Sequence, residues 1–84
     1  MGSIVSPAVL SVLDESNQST DEFLHRHVTG DWGDLDAEDR QSNERAILDG
    51  ERLFSGYQTK NGSKIWIITE ADRSVTTLLL PDDY

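Results

Sequence analysis

The chain has no cysteine among its 84 residues. That excludes a disulfide scaffold, a thiolate zinc site and a cysteine nucleophile. Basic residues are few: 7 Lys and Arg stand against 16 Asp and Glu, a formal charge of −9. A chain so acidic avoids nucleic acid and anionic membranes and seeks basic surfaces. No apolar run approaches the roughly 20 residues that span a bilayer. No charged leader with an apolar h-region opens the chain, so a soluble, cytoplasmic protein is expected. Met1-Gly2-Ser3-Ile4-Val5-Ser6 fits the loose myristoylation pattern, but a pattern this short is read as chance or a cloning remnant. Hydrophobic residues make up only 36%, low for a globular domain yet too many for pure disorder. The length allows one domain, residues 1–84, and no cleft wrapped by protein on all sides.

The residues present divide into a helical part, about 6–49, and a β part, about 51–81. Ser6 is a good N-cap and Pro7 suits a first helical position. Val9, Leu10, Val12 and Leu13 follow as an apolar stripe, and Asp14 to Gln18 reads as a polar connector. Ser19 with Glu22 forms a capping-box pattern ahead of Phe23, Leu24, His27 and Val28. Thr29 to Leu35 is a loop, with Gly30 and Gly33 flanking Asp31-Trp32. Asp36 is placed to cap a third helix, Ala37 to Leu48, in which Asn43, Ala46 and Ile47 recur at helical spacing and which Gly50 closes.

Arg52 to Thr59 carries Leu53, Phe54 and Tyr57. Lys60-Asn61-Gly62-Ser63 predicts a hairpin with a type I′ turn. Lys64 to Thr69 is β-branched and aromatic, Glu70 to Arg73 makes a second turn, and Ser74 to Leu80 returns as a strand ended by Pro81. The expected fold is α+β, with N-terminal helices packed on a C-terminal three-stranded antiparallel meander. Alternation sets Ile65 and Ile67 on one sheet face and Trp66 and Ile68 on the other, with Val75 and Leu79 opposite Leu78 and Leu80. Both faces are apolar. One is for the helices; the other, with Trp66, Ile68 and Leu79, is a candidate dimer or partner interface, unless the N-terminal segment wraps over it.

Chemistry is thinly signalled. His25 and His27 on one helix point about 200° apart and cannot share an ion, so no metal site is expected and no cofactor is implied. There is no nucleophile elbow and no phosphate-binding glycine loop, so no catalytic residue is assigned. Asp72 is expected in an Asx-type turn, with Arg73 paired to Glu70 or to a helix carboxylate. A rival reading is a small hydrolase using His27 with Asp31 or Glu70; a third is a dimeric structural or regulatory protein. The acidic run says more. Asp31, Asp34, Asp36, Glu38 and Asp39 crowd one short segment around Trp32 with no base among them. It is either a solvated face or a mimic of phosphates that occupies a basic groove, with Trp32 as a buried contact.

Arg26-His27-Val28-Thr29-Gly30-Asp31-Trp32-Gly33-Asp34-Leu35, then Asp39, Asn43 and Arg52 to Tyr57, then Trp66 to Pro81 and Tyr84, together resemble a family of small bacterial proteins. These are found on plasmids, phages and other mobile elements and are often labelled plasmid-related protein or type I restriction subunit. The resemblance covers about residues 25–84; the first 24 residues match no pattern of the family. It implies a context rather than an activity: an anti-defence protein of the anti-CRISPR kind. The resulting expectation is a binding protein that inhibits a nucleic-acid-processing complex, a CRISPR effector above all. Asp31, Trp32, Asp34, Asp36, Glu38 and Asp39 would occupy its basic surface. The expected partner is therefore a protein, with no direct nucleic acid or membrane contact, and a homodimer as the alternative.

Overall fold

The computed structural model describes residues 2–83. Tyr84, which closes the family-like motif, and Met1, which opens the myristoylation-like pattern, lie outside them. The elements are β1 (Gly2–Val5), α1 (Pro7–Ser16), α2 (Thr20–Val28), α3 (Ala37–Asp49), β2 (Leu53–Gln58), β3 (Lys64–Thr69) and β4 (Val75–Leu79), then a 3-10 turn (Pro81–Asp83). The sheet has four strands in the order β1-β4-β3-β2.

The architecture is α+β, but the expected three-stranded meander is corrected in two ways. An additional strand, β1, pairs parallel with β4, Val5 beside Leu78, so the sheet is mixed. The helices consequently lie between strands in the chain rather than ahead of the whole sheet. The N-terminal segment extends the sheet sideways; it does not wrap over the second face. Four residues, only two of them β-branched, are too short for alternation to announce a strand, and the pairing is decided by β4.

Helix starts follow the local signals. Ser6, Ser19 and Asp36 accept from the backbone N–H three residues on, Val9, Glu22 and Asp39 respectively. Glu22 does not complete a reciprocal box; its carboxylate accepts from Gln18. Helix α1 runs on through Asp14 and Glu15, expected as connector, until Asn17 takes a left-handed conformation, φ 57°.

The first hairpin turn has a different type from the expected one. Gly62 N–H returns to the Thr59 carbonyl at 2.9 Å. Gly62 has φ +87°, but Asn61 is not in the left-handed region, so this is not type I′. It is a turn followed by one left-handed residue, the three-residue hairpin loop. The second turn falls at Glu70–Arg73 as expected, with Arg73 N–H to the Glu70 carbonyl at 2.9 Å and Arg73 left-handed at φ 62°, in a loop one residue longer that closes with Glu70 N–H on the Val75 carbonyl at 3.1 Å. That backbone swings the Arg73 guanidinium toward the end of α3, where it donates to the carbonyls of Glu51 (2.6 Å) and Ala46 (3.4 Å). The expected Arg73–carboxylate pair is absent; Arg52 holds Glu70 instead, at 3.0 Å. Asp72 makes its Asx turn, accepting from Ser74 N–H at 3.0 Å.

The core lies on one sheet face. Val9 and Leu13 of α1 and Phe23 of α2 pack on Tyr57, Ile65, Ile67 and Leu78. Helix α3 stands beside the sheet and covers the outer edge of β2. The Asn43 side-chain amide donates to the Phe54 carbonyl and its oxygen accepts the Phe54 N–H at 3.0 Å. Two residues along, Gly56 N–H donates to Trp32 (3.2 Å) and its carbonyl accepts from Asp34 (2.7 Å). Gly33 touches Gly56 there with φ +78°, and a Cβ on Gly33 would overlap the Gly56 carbonyl oxygen. The Gly-Asp-Trp-Gly-Asp segment therefore serves as a surrogate strand sealing the sheet edge.

Candidate functional site

The acidic segment begins in this edge seal. Asp31 receives the Arg26 guanidinium at 2.7 Å and the Gly33 N–H at 3.2 Å. The Arg26 contact, chiefly, holds its carboxyl below the usual carboxylate range. Arg26 in turn lies 4.5 Å above the Tyr57 ring, and the Tyr57 hydroxyl donates to the Asp31 carbonyl at 2.6 Å. Asp34, Asp36, Glu38 and Asp39 are exposed along the loop and first turn of α3. Arg40, the next cation, turns back to donate to the carbonyls of Leu35 (3.0 Å) and Gly33 (3.2 Å). The carboxylates thus form an outward-facing arc over a rigid turn.

Trp32 does not join that arc. Only 5% exposed, it is carried inward because its backbone pairs with β2. Its ring meets His27 edge-on, centroids 5.7 Å apart, and Nε1 donates to Glu44 at 3.1 Å. The exposed members of the expected partner-binding set are Asp31, Asp34, Asp36, Glu38 and Asp39.

Beside Trp32 opens a cleft of about 600 Å³ between the end of α2 and the second half of α3. Val28, Ile47, Leu53 and Trp32 supply apolar walls; Glu44, His27, Thr69 and Arg73 supply polar groups. Val28 is 67% and Ile47 50% exposed, so two residues that helical periodicity assigns to the core border this opening instead. Nothing in the sequence placed Glu44, Thr69 and Arg73 at one cleft, because they converge only through the fold.

His27 is 3% exposed. Nδ1 bonds to Ser55 Oγ and Nε2 to Thr69 Oγ1 at 2.8 Å; Thr69 continues to Thr76 Oγ1 at 2.9 Å. Burial lowers the imidazole pKa to about 4, so it is neutral at pH 7, one nitrogen donating and the other accepting. This buried chain ties α2 to three strands. Asp31 and Glu70, the carboxylates that the hydrolase reading would add, are bound to Arg26 and Arg52. Both nitrogens of His27 are already engaged, and Ser55 is fully buried. His25 lies exposed on α2. Among the described residues no three His, Asp or Glu side chains are grouped to hold a metal ion.

On the second sheet face, Trp66 neighbours Leu79 across the β3–β4 pair, and Ile68 lies between Phe54 and Thr77. Ile68 and Leu79 are buried, and half-buried Trp66 packs edge-on against Phe54 at 5.1 Å. Much of this face is covered by its own side chains. No helix of the described residues is long and apolar enough to cross a membrane.

No family model, no curated protein and no solved structure matches this chain.

Proposed function

We propose that this protein is a small acidic binding protein that occupies a basic, nucleic-acid-binding surface on a protein partner. The observation that carries the reading is the arc of Asp34, Asp36, Glu38 and Asp39, exposed on a turn braced at Gly56 while Arg40 is drawn to backbone carbonyls. Carboxylates held this way act as a fixed negative field that steers a cationic surface toward the protein. The anti-defence setting comes from the motif resemblance alone; in that setting the partner is a subunit of a CRISPR effector or a restriction complex.

The test replaces Asp34 and Asp36 and Asp39 by Asn and Glu38 by Gln. Circular dichroism first establishes the fold, since Asp36 caps α3. Capture from a bacterial lysate that contains the defence complex is then compared with wild type. The wild-type protein should capture a basic protein and abolish its nucleic-acid binding. The variant should associate more slowly and inhibit less. Raising salt from 0.1 to 1 M, which shortens the Debye length from about 10 to about 3 Å, should weaken wild type more than the variant. A captured partner that keeps its nucleic-acid binding would refute the proposal.

A further inference from the structure

The two edges of the sheet are treated differently. The β2 edge is sealed by Asn43 at Phe54 and by Trp32 and Asp34 at Gly56. The other edge, β1, is flanked by β4 on one side only. Ser6 N–H bonds inward to the Leu78 carbonyl at 3.0 Å. In a parallel ladder the inward and outward residues alternate, so Ile4 also faces β4, and the N–H and C=O of Ser3 and Val5 face outward. No described residue bonds to those four groups. Gly2–Val5 is short, but it carries no charge, no proline and no bulge to turn a partner strand away. Ile4, on the second sheet face beside Thr77, is 57% exposed.

β1 and its neighbour β4 carry no charged residue, and the turn that follows β4 carries Asp82 and Asp83 and no Lys or Arg. Asp83 sits at the end of β1, accepting from Ser6 Oγ at 3.2 Å. A second copy pairing here would bring like charges together on chains that each carry −9.

We propose that β1 is a docking edge for an extended, basic segment of a protein partner, which adds to the sheet as a fifth strand. The inference rests on the reading of this protein as a binder of basic partners and names the main-chain contact that would hold one. Ser3 and Val5 provide the hydrogen bonds, Ile4 a neighbour for an apolar side chain, and Asp83 at the end of the strand a preference for Lys or Arg.

The probe is a short blocked peptide alternating lysine with valine; the control alternates glutamate with valine. With the full chain, the lysine peptide should slow amide exchange at Ser3 and Val5 and shift their NMR resonances, and the glutamate peptide should not. Ser3→Pro removes an outward N–H and leaves the inward bonds of Gly2 and Ile4; it should weaken the lysine peptide by roughly tenfold, the worth of one main-chain hydrogen bond. Ser3→Ala, which keeps the N–H, should not. If Ser3→Pro fails to fold, the wild-type exchange measurement still decides. Unchanged exchange at Ser3 and Val5 overturns the proposal, as does equal affinity for folded Ser3→Pro. A wild-type dimer that Ser3→Pro converts to monomer also overturns it, since the edge then belongs to a second copy. The arc of α3 is probed separately by its four-site variant. Partner capture lost there but kept in Ser3→Pro leaves the acidic-surface reading standing and removes this one; the reverse pattern does the opposite.

Discussion

The side-chain amide of Asn43, on α3, pairs with both main-chain groups of Phe54, on β2. One residue thereby does for the sheet edge what a fifth strand would do. Asn43→Ala leaves a half-buried N–H and C=O without partners, and a destabilisation of about 2–3 kcal/mol is expected. Asn43→Asp keeps the acceptor but sets a carboxylate against the Phe54 carbonyl, so it should be no better than Ala. Urea melts of the three proteins check the order; an Asp variant as stable as wild type would refute the two-bond account.

Gly33 and Gly30 separate space from backbone strain. Both have positive φ, +78° and +86°. A Cβ at Gly30 meets nothing, whereas at Gly33 it would overlap Gly56 and come within 2.6 Å of the Tyr57 ring. Gly30→Ala should cost about 1 kcal/mol, the left-handed penalty alone. Gly33→Ala should cost about 3 kcal/mol or more, because the edge seal must move. Thermal melts that place the two variants together would contradict this packing.

His27 should make stability depend on pH in a window of its own. Its folded pKa, about 4, lies below the ordinary 6.5. The unfolded chain therefore binds the proton first, and stability is full above pH 6.5 and falls as pH drops toward 4. From pH 7.5 to 5 the loss is about 2 kcal/mol. His27→Gln should be less stable at pH 7.5 but should not lose that increment, because it does not titrate. Chemical denaturation of both proteins at pH 7.5, 6 and 5 tests this; parallel curves would mean that the imidazole is not held neutral by burial.

Trp66→Ala removes a half-buried ring that packs on Phe54. A fully buried aromatic would cost about 3–5 kcal/mol; the exposed part of Trp66 should reduce this to about 2 kcal/mol. Light scattering on the folded variant tests the dimer alternative. A wild-type dimer dissociated by this substitution would assign the second sheet face to self-association.

Helix starts, the β3 and β4 strands and both turn positions were legible because each rests on contacts within a few residues. Ser6-Pro7, Ser19 and Asp36 satisfy N–H groups three residues away, and Ile65 to Ile68 form an unbroken β-branched and aromatic run. The carboxylates of the candidate site were equally visible, as exposure is the default for Asp34, Asp36, Glu38 and Asp39. That Trp32 turns into its own chain was not legible, because its direction is set by the pairing of Trp32 and Asp34 with Gly56, more than twenty residues on. β1 was missed for the same reason: its partner β4 lies some seventy residues away.

Charge, the absence of thiol chemistry, helix caps and β-branched strand composition are local or summed properties, and the chain carries them whatever its fold. Which edge of the sheet is sealed is not of that kind. It depends on Asn43 reaching Phe54, Gly33 touching Gly56 and Arg73 meeting the end of α3. Each of these matches a side chain or glycine to a main-chain group brought near by packing, and such a match has no period to read. The open β1 edge and the burial of Trp32 exist only once those long-range pairings have formed.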